Sequence, residues 1–482
     1  MTNTPQQTWA GKPVTILGLS KSGAAVARYI AKRGGNCFLS ETLPASPGNE
    51  ALKKELEALG VTIEMGGHTK QCFTHATLVV ASPGIPPSNS VMEQLRLTQA
   101  DIVSEVELAY RETLLLSKPV PVIGITGTNG KSTTTSLVSH VLTQAGFAAP
   151  ACGNIGVPLL TVLDDTQYAD GPDFLVSELS SFQLTLSPTL KAKIAIFTNL
   201  TPDHLDWHGS LDAYLQAKLQ LFTGSQSPEW SVINADDPVA QTIAQKTTGK
   251  IVWVSRHADH VAQYPNRCYL NAQQQAEIVL DNADPVVLFQ TGNLQILGAH
   301  NEENAMYAAA TAFLLGVKPN VIAAACSSFK SLPHRLEYVT EIDGVRFYND
   351  SKATNPEAAI PALRAFEKLI LIAGGYDKNT PLDEFATEVK QHAQAVVLIG
   401  KASERFDTEL RHCGYTAIHF ATSLEQAVEN SLQLAKQQHI PVVFSPACAS
   451  FDMFKNFEDR GDQFKQAVNQ RKQNKQRVEQ VT

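Results

Sequence analysis

Several features that mark particular protein classes are scarce or missing in this 482-residue sequence. Its seven cysteines are scattered and odd in number, and no two have the C-x-x-C spacing, so the pattern predicts reduced thiols, with neither a disulfide framework nor a zinc site. No apolar run approaches the ~20 residues that span a bilayer. Lys and Arg (39) are fewer than Asp and Glu (47), and the net charge of −8 argues against a broad surface for nucleic acid or membranes.

The remaining composition is typical of a core-forming globular chain. Hydrophobic residues make up 43% of the sequence and charged residues 18%, a balance that excludes extended disorder. At roughly 150 residues per domain, the length suggests about three domains. The opening segment MTNTPQQTWAGKP has neither the basic nor the apolar region of a signal peptide, so we expect a cytoplasmic protein without membrane insertion.

Strand-like and helix-like runs alternate along the chain, which predicts an α/β fold of three domains. Residues 1–118 predict a Rossmann-like domain. Residues 119–332 predict a central domain of the P-loop ATPase type, with a parallel sheet and a small antiparallel layer built from short runs that include AEIVL and LQILG. Residues 333–482 predict a second Rossmann-like domain that ends in a polar, frayed tail, QRKQNKQRVEQVT.

The most specific motif is GITGTNGKST (124–133), between a predicted strand and a predicted helix. Gly127 and Gly130 let the backbone wrap around phosphate oxygens, which the helix N-terminus also attracts. Lys131 supplies a positive charge for the outer phosphates, and the Ser132 hydroxyl suits Mg²⁺. The strict phosphate-loop pattern has glycine where this chain has Ile125, so a glycine-rich turn with a surface lysine remains the alternative.

A second glycine turn, GLSKSG (18–23), follows the first predicted strand. A dinucleotide-binding fingerprint has glycine at the position of Ser20, yet the turn can still present backbone N–H groups to a pyrophosphate. Glu41 ends the next predicted strand, about where an acidic residue meets a ribose. A purely structural turn without a ligand is the alternative.

Three ionisable side chains stand at or near strand ends in the central domain. Glu178 ends the run DFLVSEL, His204 follows the run KIAIFTNL, and Lys218 lies in an otherwise apolar helical run. The carboxyl ends of parallel strands form the ligand-binding edge of such a sheet, so these groups are candidate ligands for a phosphate-bound cation. A structural histidine and a lysine that extends to solvent are the alternatives.

Four polar motifs in the last 150 residues, three of them just after predicted strands, form a candidate surface for anionic substrates. They are PHRLE (333–337), NDSKATNPEA (349–358), AGGYDK (373–378) and SPACASFDMFKNFEDRG (445–461). Taken singly, each motif is equally typical of helix caps and solvated charges.

Together these strings resemble the Mur ligases, the ATP-dependent amide-forming enzymes of peptidoglycan precursor synthesis. The shared strings include TGTNGKST, GNIGVP (153–158), ELSSFQL (178–184), TPDHLDWH (201–208), AYLQAKL (213–219) and HNEEN (300–304). NDSKATN and SPACASFDMFKNF are similar to the member that adds D-glutamate to UDP-N-acetylmuramoyl-L-alanine. The resemblance covers nearly the whole chain and implies an acyl-phosphate mechanism that consumes ATP.

The resemblance also implies a role for individual residues. Catalysis would involve Lys131, Asn154, His204 and Lys218. Two Mg²⁺ ions would be held by Ser132, Glu178, His204 and Lys218, the last as a CO₂-derived carbamate. ATP would meet Gly127, Thr128, Asn129, Gly130, Lys131, Ser132, Thr133, Asn301, Asn304, Arg335 and Asp350. The UDP substrate would meet Leu19, Ser20, Glu41, Thr42, Ser82, Gly84, Asn154 and Ser181. D-Glutamate would meet Thr354, Lys378, Ser450, Phe451 and Phe457.

One departure and three alternatives remain open at this stage. Some relatives have D-T-R after the second strand, whereas this chain has Glu41-Thr42-Leu43, so the arginine contact to uridine is missing. The alternatives are another Mur ligase or a folylpolyglutamate-type synthase, a P-loop nucleotide switch or transport protein, and a dinucleotide oxidoreductase, which Ser20 disfavours. We expect a monomer that binds no nucleic acid.

Overall fold

The computed structural model describes residues 9–481, apart from 75–76, 87, 169–170 and 224–225. The chain forms two compact units. The first comprises Met1–Asn293 and Glu303–Ser327 and holds two sheets. The second comprises Leu294–Glu302 and Ser328–Thr482 and holds a third sheet. With one sheet to each predicted part, the α/β fold of three domains is confirmed, whereas the boundaries at 118 and 332 stay predictions.

The N-terminal sheet is entirely parallel, with the strand order β3-β2-β1-β4-β5. This is the strand order of a doubly wound nucleotide-binding sheet, 3-2-1-4-5-6, without its sixth strand. Its strands are β1 (Pro13–Leu17), β2 (Asn36–Glu41), β3 (Thr62–Met65), β4 (Leu78–Ala81) and β5 (Asp101–Val103). Its helices are α1 (Lys21–Ala31), α2 (Pro47–Ala58), α3 (Ser90–Leu97) and α4 (Glu105–Thr113), with a 3-10 turn at Lys70–Cys72.

The central sheet has nine strands in the order β14-β13-β12-β11-β10-β9-β6-β8-β7. The strands are β6 (Val122–Thr126), β7 (Ala151–Gly153), β8 (Leu175–Glu178), β9 (Ala192–Phe197), β10 (Trp230–Asn234), β11 (Lys250–Ser255), β12 (Arg267–Leu270), β13 (Gln275–Val279) and β14 (Val286–Gln290). Every residue of β6 and β8 is buried, as expected for parallel strands covered on both faces.

Helices connect the strands of the central sheet or follow its last strand. They are α5 (Lys131–Gln144), α6 (Leu159–Leu163), α7 (Ser181–Thr185), α8 (Leu205–His208), α9 (Leu211–Leu219), α10 (Ala240–Lys246), α11 (Ala258–Val261), α12 (Ala299–Leu314) and α13 (Pro319–Ser328). Short 3-10 turns lie at Thr166–Tyr168, Gln220–Phe222 and Thr291–Asn293.

The predicted antiparallel strands are present, and they extend the edge of the parallel sheet. β12 pairs with β11 in parallel, and β13 and β14 then pair antiparallel. One assignment was wrong: the run LQILG (294–298) forms bends and coil, whereas the unassigned run RCYL forms β12. A short apolar run without alternation cannot be separated from a buried loop by its pattern alone.

The sheet of the second unit has the order β15-β16-β20-β17-β18-β19, in which only the β15–β16 pair is antiparallel. Its strands are β15 (Glu337–Ile342), β16 (Val345–Asn349), β17 (Leu369–Ala373), β18 (Ala393–Leu398), β19 (Ile418–Phe420) and β20 (Val442–Phe444). Its helices are α14 (Pro356–Arg364), α15 (Asp383–His392), α16 (Ser403–His412), α17 (Leu424–Ala435) and α18 (Phe457–Val481).

The predicted frayed tail was wrong, because α18 continues through it to Val481. The segment lacks glycine and proline after residue 461 and is rich in Gln, Lys and Arg, which are good helix formers. Its low apolar content hid the helix from a search based on hydrophobic periodicity. None of the described helices has both the length and the apolar character needed to cross a membrane.

A buried carboxylate fixes the N-terminal sheet against the central sheet within the first unit. Glu107 of α4 is fully buried and accepts hydrogen bonds from the backbone N–H groups of Thr189 and Leu190, at 3.1 and 3.0 Å. It also accepts from the Thr189 hydroxyl and from Arg111 Nε. Because the segment 189–190 leads into β9, this cluster positions the strand that precedes His204.

We expect Glu107→Ala to destabilise the first unit markedly. Removing the carboxylate leaves the Thr189 N–H and hydroxyl, the buried Leu190 N–H and the partly buried Arg111 without this acceptor, which costs roughly 3–5 kcal/mol. Calorimetry should show the unfolding temperature of this unit falling by at least about 5 °C. Glu93→Ala, at an exposed position of α3, is the matched control and should leave it unchanged. Equal shifts in both variants would contradict the assignment.

Candidate active site

The chain passes from β6 to α5 through a tight turn, residues 127–130, that only glycine permits at both ends. Gly127 has a φ of +144°, and a Cβ there would lie 2.0 Å from Thr198 Oγ1. Gly130 has a φ of +83°, and its Cβ would lie 2.6 Å from Asn304 Oδ1. Asn199 accepts hydrogen bonds from the N–H groups of residues 128 and 129, both at 2.8 Å, and thereby fixes the turn to the end of β9.

Two lysine side chains converge on one carbonyl oxygen of this turn. Lys131 Nζ donates to Gly127 O at 2.9 Å and to Thr128 O at 2.6 Å. Lys218 Nζ, from α9, donates to the same Gly127 oxygen at 2.7 Å. The predicted proximity of a helical lysine to the turn is therefore present, although the two residues are 87 positions apart in the sequence.

The burial of Lys218 favours its uncharged form. Its side chain is only 1% exposed, and this burial holds the pKa of the amine well below its ordinary value, with the charge of Lys131 lowering it further. Asp203 and Glu178 act in the opposite direction and raise the pKa. The alternative of a lysine that extends to solvent is wrong. An uncharged buried amine is nucleophilic and open to covalent modification.

Glu178 presents a buried oxygen that is suited to a cation. It ends β8 and is 2% exposed. Its Oε1 accepts a hydrogen bond from Asn154 Nδ2 at 2.6 Å, whereas Oε2 is buried and has no hydrogen-bond partner among the described residues. A buried carboxylate oxygen without a donor is costly unless a ligand satisfies it, and carboxylate oxygen is a preferred ligand of Mg²⁺.

Tyr214 connects the lysine site to His204. Its ring centre lies 4.3 Å from Lys218 Nζ and 6.1 Å from the ring of His204, and its hydroxyl lies 3.2 Å from Thr128 Oγ1. The His204 ring also packs at 4.7 Å against Phe182. Sequence reasoning missed Tyr214, although its position four residues before Lys218 on a helix is a signal that the two side chains share a face.

Further residues predicted for ligand binding lie around this centre. Ser132 and Thr133, in the first turn of α5, are buried. Asn304 Oδ1 accepts from Thr134 Oγ1 at 3.0 Å, which ties α12 to α5. Ser181, at the start of α7, contacts His208 Nε2 through its hydroxyl at 2.8 Å.

In the N-terminal sheet, Glu41 organises the predicted nucleotide turn. Its Oε2 accepts from the Leu19 N–H at 2.7 Å, and its Oε1 accepts from the Leu43 N–H at 2.9 Å. Burial alone would raise the pKa of this carboxyl, but these hydrogen bonds outweigh burial and lower it. Glu41 therefore remains charged, and the Leu19 N–H is already used, so a ligand here competes with Glu41 for that donor.

The other residues predicted for this turn include two hydroxyl groups in close contact and an exposed side chain. Ser20 caps α1 and bonds Ser82 Oγ at 2.7 Å. The hydroxyl of Thr42 donates to Glu41 Oε1 at 3.1 Å. Gly84 has open space around it, and Leu43, which stands where some relatives have arginine, is 64% exposed. The site thus presents hydroxyls and backbone groups to a ligand.

In the second unit, the predicted motifs follow three adjacent strands, β16, β20 and β17. Asp350 follows β16, accepts from Ser445 Oγ at 2.7 Å and from the Leu336 N–H at 3.1 Å, and its burial raises the pKa to about 7. The charge of Arg335 acts in the opposite direction. Asn301 Nδ2 donates to Leu297 O at 2.7 Å, which fixes the first turn of α12.

The residues predicted for D-glutamate differ in exposure. Ser450 is buried, and Thr354 and Phe457 are half-buried. Lys378 and Phe451 are exposed, the latter by 68%. Lys352 Nζ lies 5.4 Å from the ring centre of Phe457, so the segments 350–354 and 450–457 meet.

Arg460 holds these two segments together, and sequence reasoning missed it. Its guanidinium is 1% exposed and donates to both oxygens of Ser351, at 3.0 and 2.7 Å, and to the carbonyls of Cys448 and Ala449, at 2.9 and 3.1 Å. Its neighbours in the sequence are charged, which is typical of an exposed segment. Only its position within the motif 445–461 could have indicated a buried role.

Comparison with known protein families agrees with this layout. Residues 12–104 match the Mur ligase MurD-like N-terminal domain, residues 125–312 the Mur ligase middle domain, and residues 334–448 the Mur ligase glutamate ligase domain. The chain belongs to the Mur ligase family. Mur ligases are ATP-dependent.

Individual relatives cover almost the whole chain. The UDP-N-acetylmuramoylalanine–D-glutamate ligase of Pelotomaculum thermopropionicum is 36% identical over 95% of this chain and 97% of its own length. That of Thermoanaerobacter pseudethanolicus is 37% identical over 95% and 98%. The crystal structure of the UDP-N-acetylmuramate-alanine ligase of Thermotoga maritima is 17% identical, covers 96% of this chain and 99% of its own, and gives a TM-score of 0.56, which shows a shared fold.

We expect Gly127→Ala to weaken ATP binding at least about tenfold. A Cβ placed 2.0 Å from Thr198 Oγ1 must displace the turn, and a loss of 1.4 kcal/mol is already tenfold in affinity. Gly146→Ala is the matched control: its φ of +92° carries similar backbone strain, but nothing lies within 4 Å of the new Cβ. Calorimetric titration with ATP should separate the variants, and equal affinities would contradict the assigned role of the turn.

Proposed function

We propose that this Mur ligase joins D-glutamate to UDP-N-acetylmuramoyl-L-alanine and consumes ATP. The observation that carries the proposal is the convergence of Lys131 and Lys218 on the Gly127 carbonyl, on the turn between β6 and α5. The positive charge of Lys131 at such a turn suits transfer of a phosphoryl group to a carboxylate, and the amine of Lys218 lies beside it. The choice of amino acid rests on the relatives named for D-glutamate, which are 36–37% identical over 95% of the chain.

The reaction that we propose has two steps. A carboxylate oxygen of the L-alanyl group attacks the γ-phosphorus of ATP, ADP leaves, and an acyl phosphate forms. The amine of D-glutamate then attacks the acyl carbon, loses a proton to solvent, and expels inorganic phosphate as the amide bond forms. Because both steps mainly require alignment and charge neutralisation, Lys131 is assigned to the transferred phosphoryl group and Asn154 to the reacting end of the UDP substrate.

The same residues support a place for divalent cations. The buried Glu178 Oε2, which has no hydrogen-bond donor among the described residues, fits a hard cation. We propose that Ser132, Glu178, His204 and a carbamate on Lys218 hold two Mg²⁺ ions, which when bound neutralise phosphate charge. Burial lowers the pKa of the Lys218 amine and so favours the uncharged form that adds CO₂. The nitrogen would bond to the carbon of CO₂ and lose a proton to solvent, and the resulting carbamate would offer two oxygens in place of a nitrogen.

The remaining assignments follow the three predicted domains, 1–118, 119–332 and 333–482. The turn around Glu41 supports UDP binding by the first domain, with backbone and hydroxyl groups in place of the missing arginine. We assign ATP to residues 127–133, Asn301, Asn304, Arg335 and Asp350, and D-glutamate to Thr354, Lys378, Ser450, Phe451 and Phe457. All seven cysteines are free thiols, which supports a reducing cytoplasm, and we propose a monomer there.

The amino-acid specificity tests the proposed function directly. We expect ADP release with ATP and the UDP-muramoyl substrate to require D-glutamate, and we expect L-glutamate and D-aspartate to be poor substrates. The reason is that two sites on separate segments, at Lys378 and Ser450, would bind the two carboxylates of the amino acid and so select both the distance between them and the configuration at the α-carbon. A coupled assay for ADP across a panel of single amino acids gives the result. Comparable turnover with L-glutamate or a diamino acid would contradict the assignment and favour another member of the family.

Lys218→Ala should lower turnover by several decades, and added formate or acetate should restore part of it. A charged lysine near bound cations would add repulsion of roughly 4 kcal/mol at 4 Å with an effective dielectric near 20, whereas a carbamate supplies an anion that a small carboxylate can imitate. The measurement is steady-state turnover with and without the added acid.

Lys246→Ala is the matched control for this experiment. Lys246 also lies in the last turn of a helix in the same unit, but it is exposed, so its removal should leave turnover unchanged and acid without effect. If Lys218→Ala loses activity and neither acid restores any of it, the proposed carbamate loses its support while the role of the amine itself stands.

A further inference from the structure

Away from the residues assigned so far, three ligand-type side chains meet beside the N-terminal sheet. Glu64 lies on β3, His68 in the turn that follows, and Cys72 at the end of the 3-10 turn Lys70–Cys72. Ser40 of β2 pairs in register with Glu64, so both side chains point to the same face. One carboxylate oxygen, one imidazole nitrogen and one sulfur all lie within 4.8 Å of one another.

The distances among these atoms are close to those of a tetrahedral metal site. Cys72 Sγ lies 3.8 Å from Glu64 Oε1 and 3.9 Å from His68 Nδ1. With metal–sulfur and metal–nitrogen or metal–oxygen bonds of zinc length, adjacent ligand atoms in a tetrahedron stand about 3.5 Å apart. Both sulfur distances therefore exceed the tetrahedral value by only a few tenths of an ångström.

A fourth oxygen already stands among the three ligands. Ser40 Oγ lies 2.8 Å from Glu64 Oε1, 2.7 Å from His68 Nδ1 and 3.1 Å from the carbonyl oxygen of Gly67. The hydroxyl proton of Ser40 can serve only one of these three acceptors. Glu64 also accepts from the Thr69 N–H at 2.7 Å and from the Thr69 hydroxyl, and these donors hold its carboxylate beside the imidazole and the thiol. Cys72 is fully buried, whereas Glu64 and His68 are half-buried, which leaves a side from which an ion can enter.

We propose that Glu64, His68 and Cys72 form a site for a divalent transition-metal ion of the zinc class, with Ser40 Oγ or water as the fourth ligand. A thiolate and an imidazole favour such ions over Mg²⁺. On binding, the Cys72 thiol releases its proton to solvent as the metal–sulfur bond forms. The count of cysteine pairs predicted no zinc site, because it does not detect a site with three different ligand types.

The proposed metal site lies beside the turn around Glu41, to which we assign the UDP substrate. The Gly67 N–H donates to Glu41 O at 3.2 Å and the Gly66 N–H donates to Leu43 O at 3.1 Å, so the segment that carries His68 is bonded to the strand end that carries Glu41. A bound ion would fix this segment and lower the KM for the UDP substrate. This consequence rests on the proposed function, whereas the metal site itself does not.

Cobalt titration of the full-length protein tests the site. Co²⁺ replaces Zn²⁺ and gives a near-ultraviolet charge-transfer band only when a thiolate is bound. We expect the band to saturate at one Co²⁺ per chain in the wild type, to vanish in Cys72→Ser, and to need at least about tenfold more Co²⁺ in His68→Gln. His68 is half-buried, so this second variant tests the site even if Cys72→Ser fails to fold.

Cys413→Ser is the matched control, because Cys413 is a partly exposed thiol elsewhere in the chain and should keep the full band. A wild type without the band, a band that persists in folded Cys72→Ser, or a band lost in Cys413→Ser would each overturn the site. In a separate assay, Zn²⁺ should lower the KM for the UDP substrate in the wild type and not in His68→Gln. An unchanged wild-type KM, with the cobalt band present, would overturn only the coupling to the substrate turn.

Discussion

The organisation of the central domain depends on one carbonyl oxygen, that of Gly127, which accepts hydrogen bonds from two lysine side chains. Two full positive charges that share one acceptor oxygen repel each other by several kcal/mol at an effective dielectric near 20. The structure favours relief of that repulsion through loss of the charge on Lys218, which is the more deeply buried of the two. In the proposed reaction, the negative charge of a phosphate group beside Lys131 would relieve it in a second way.

The strand order explains why the charged groups around this oxygen lie at one edge of the sheet. β6 lies between β8 and β9 in the sheet, so the turn that follows β6 is flanked by Glu178 at the end of β8 and by the segment after β9 that carries His204. The carboxyl ends of adjacent parallel strands meet at one edge, and α9 then returns Lys218 to the same edge. Glu107 stabilises this arrangement at the opposite end of β9, because it fixes the backbone that leads into that strand.

Sequence reasoning predicted the strands, the glycine turns and the charged residues at strand ends, because each leaves a local signal in residue type and spacing. It missed Tyr214, Asn199 and Arg460, whose roles depend on contacts between segments far apart in the chain. It also wrongly predicted a strand at LQILG and a frayed end for the tail of α18. Neither a short apolar run nor a polar helix has a clear hydrophobic periodicity from which its structure could be predicted. The fold class was therefore more predictable than the contacts that hold the site in place.

The two buried cations of this protein show what separates a structural charge from a reactive amine. Arg460 is as buried as Lys218, yet it donates four hydrogen bonds to oxygens, and although burial lowers the pKa of its guanidinium to about 10 it remains charged at neutral pH. Lys218 donates to a single carbonyl among the described residues and stands beside another lysine. A buried charge persists where enough acceptors replace water. Arg460 has four such acceptors and positions two loops, whereas burial and the charge of Lys131 lower the pKa of Lys218, which has a single carbonyl acceptor among the described residues.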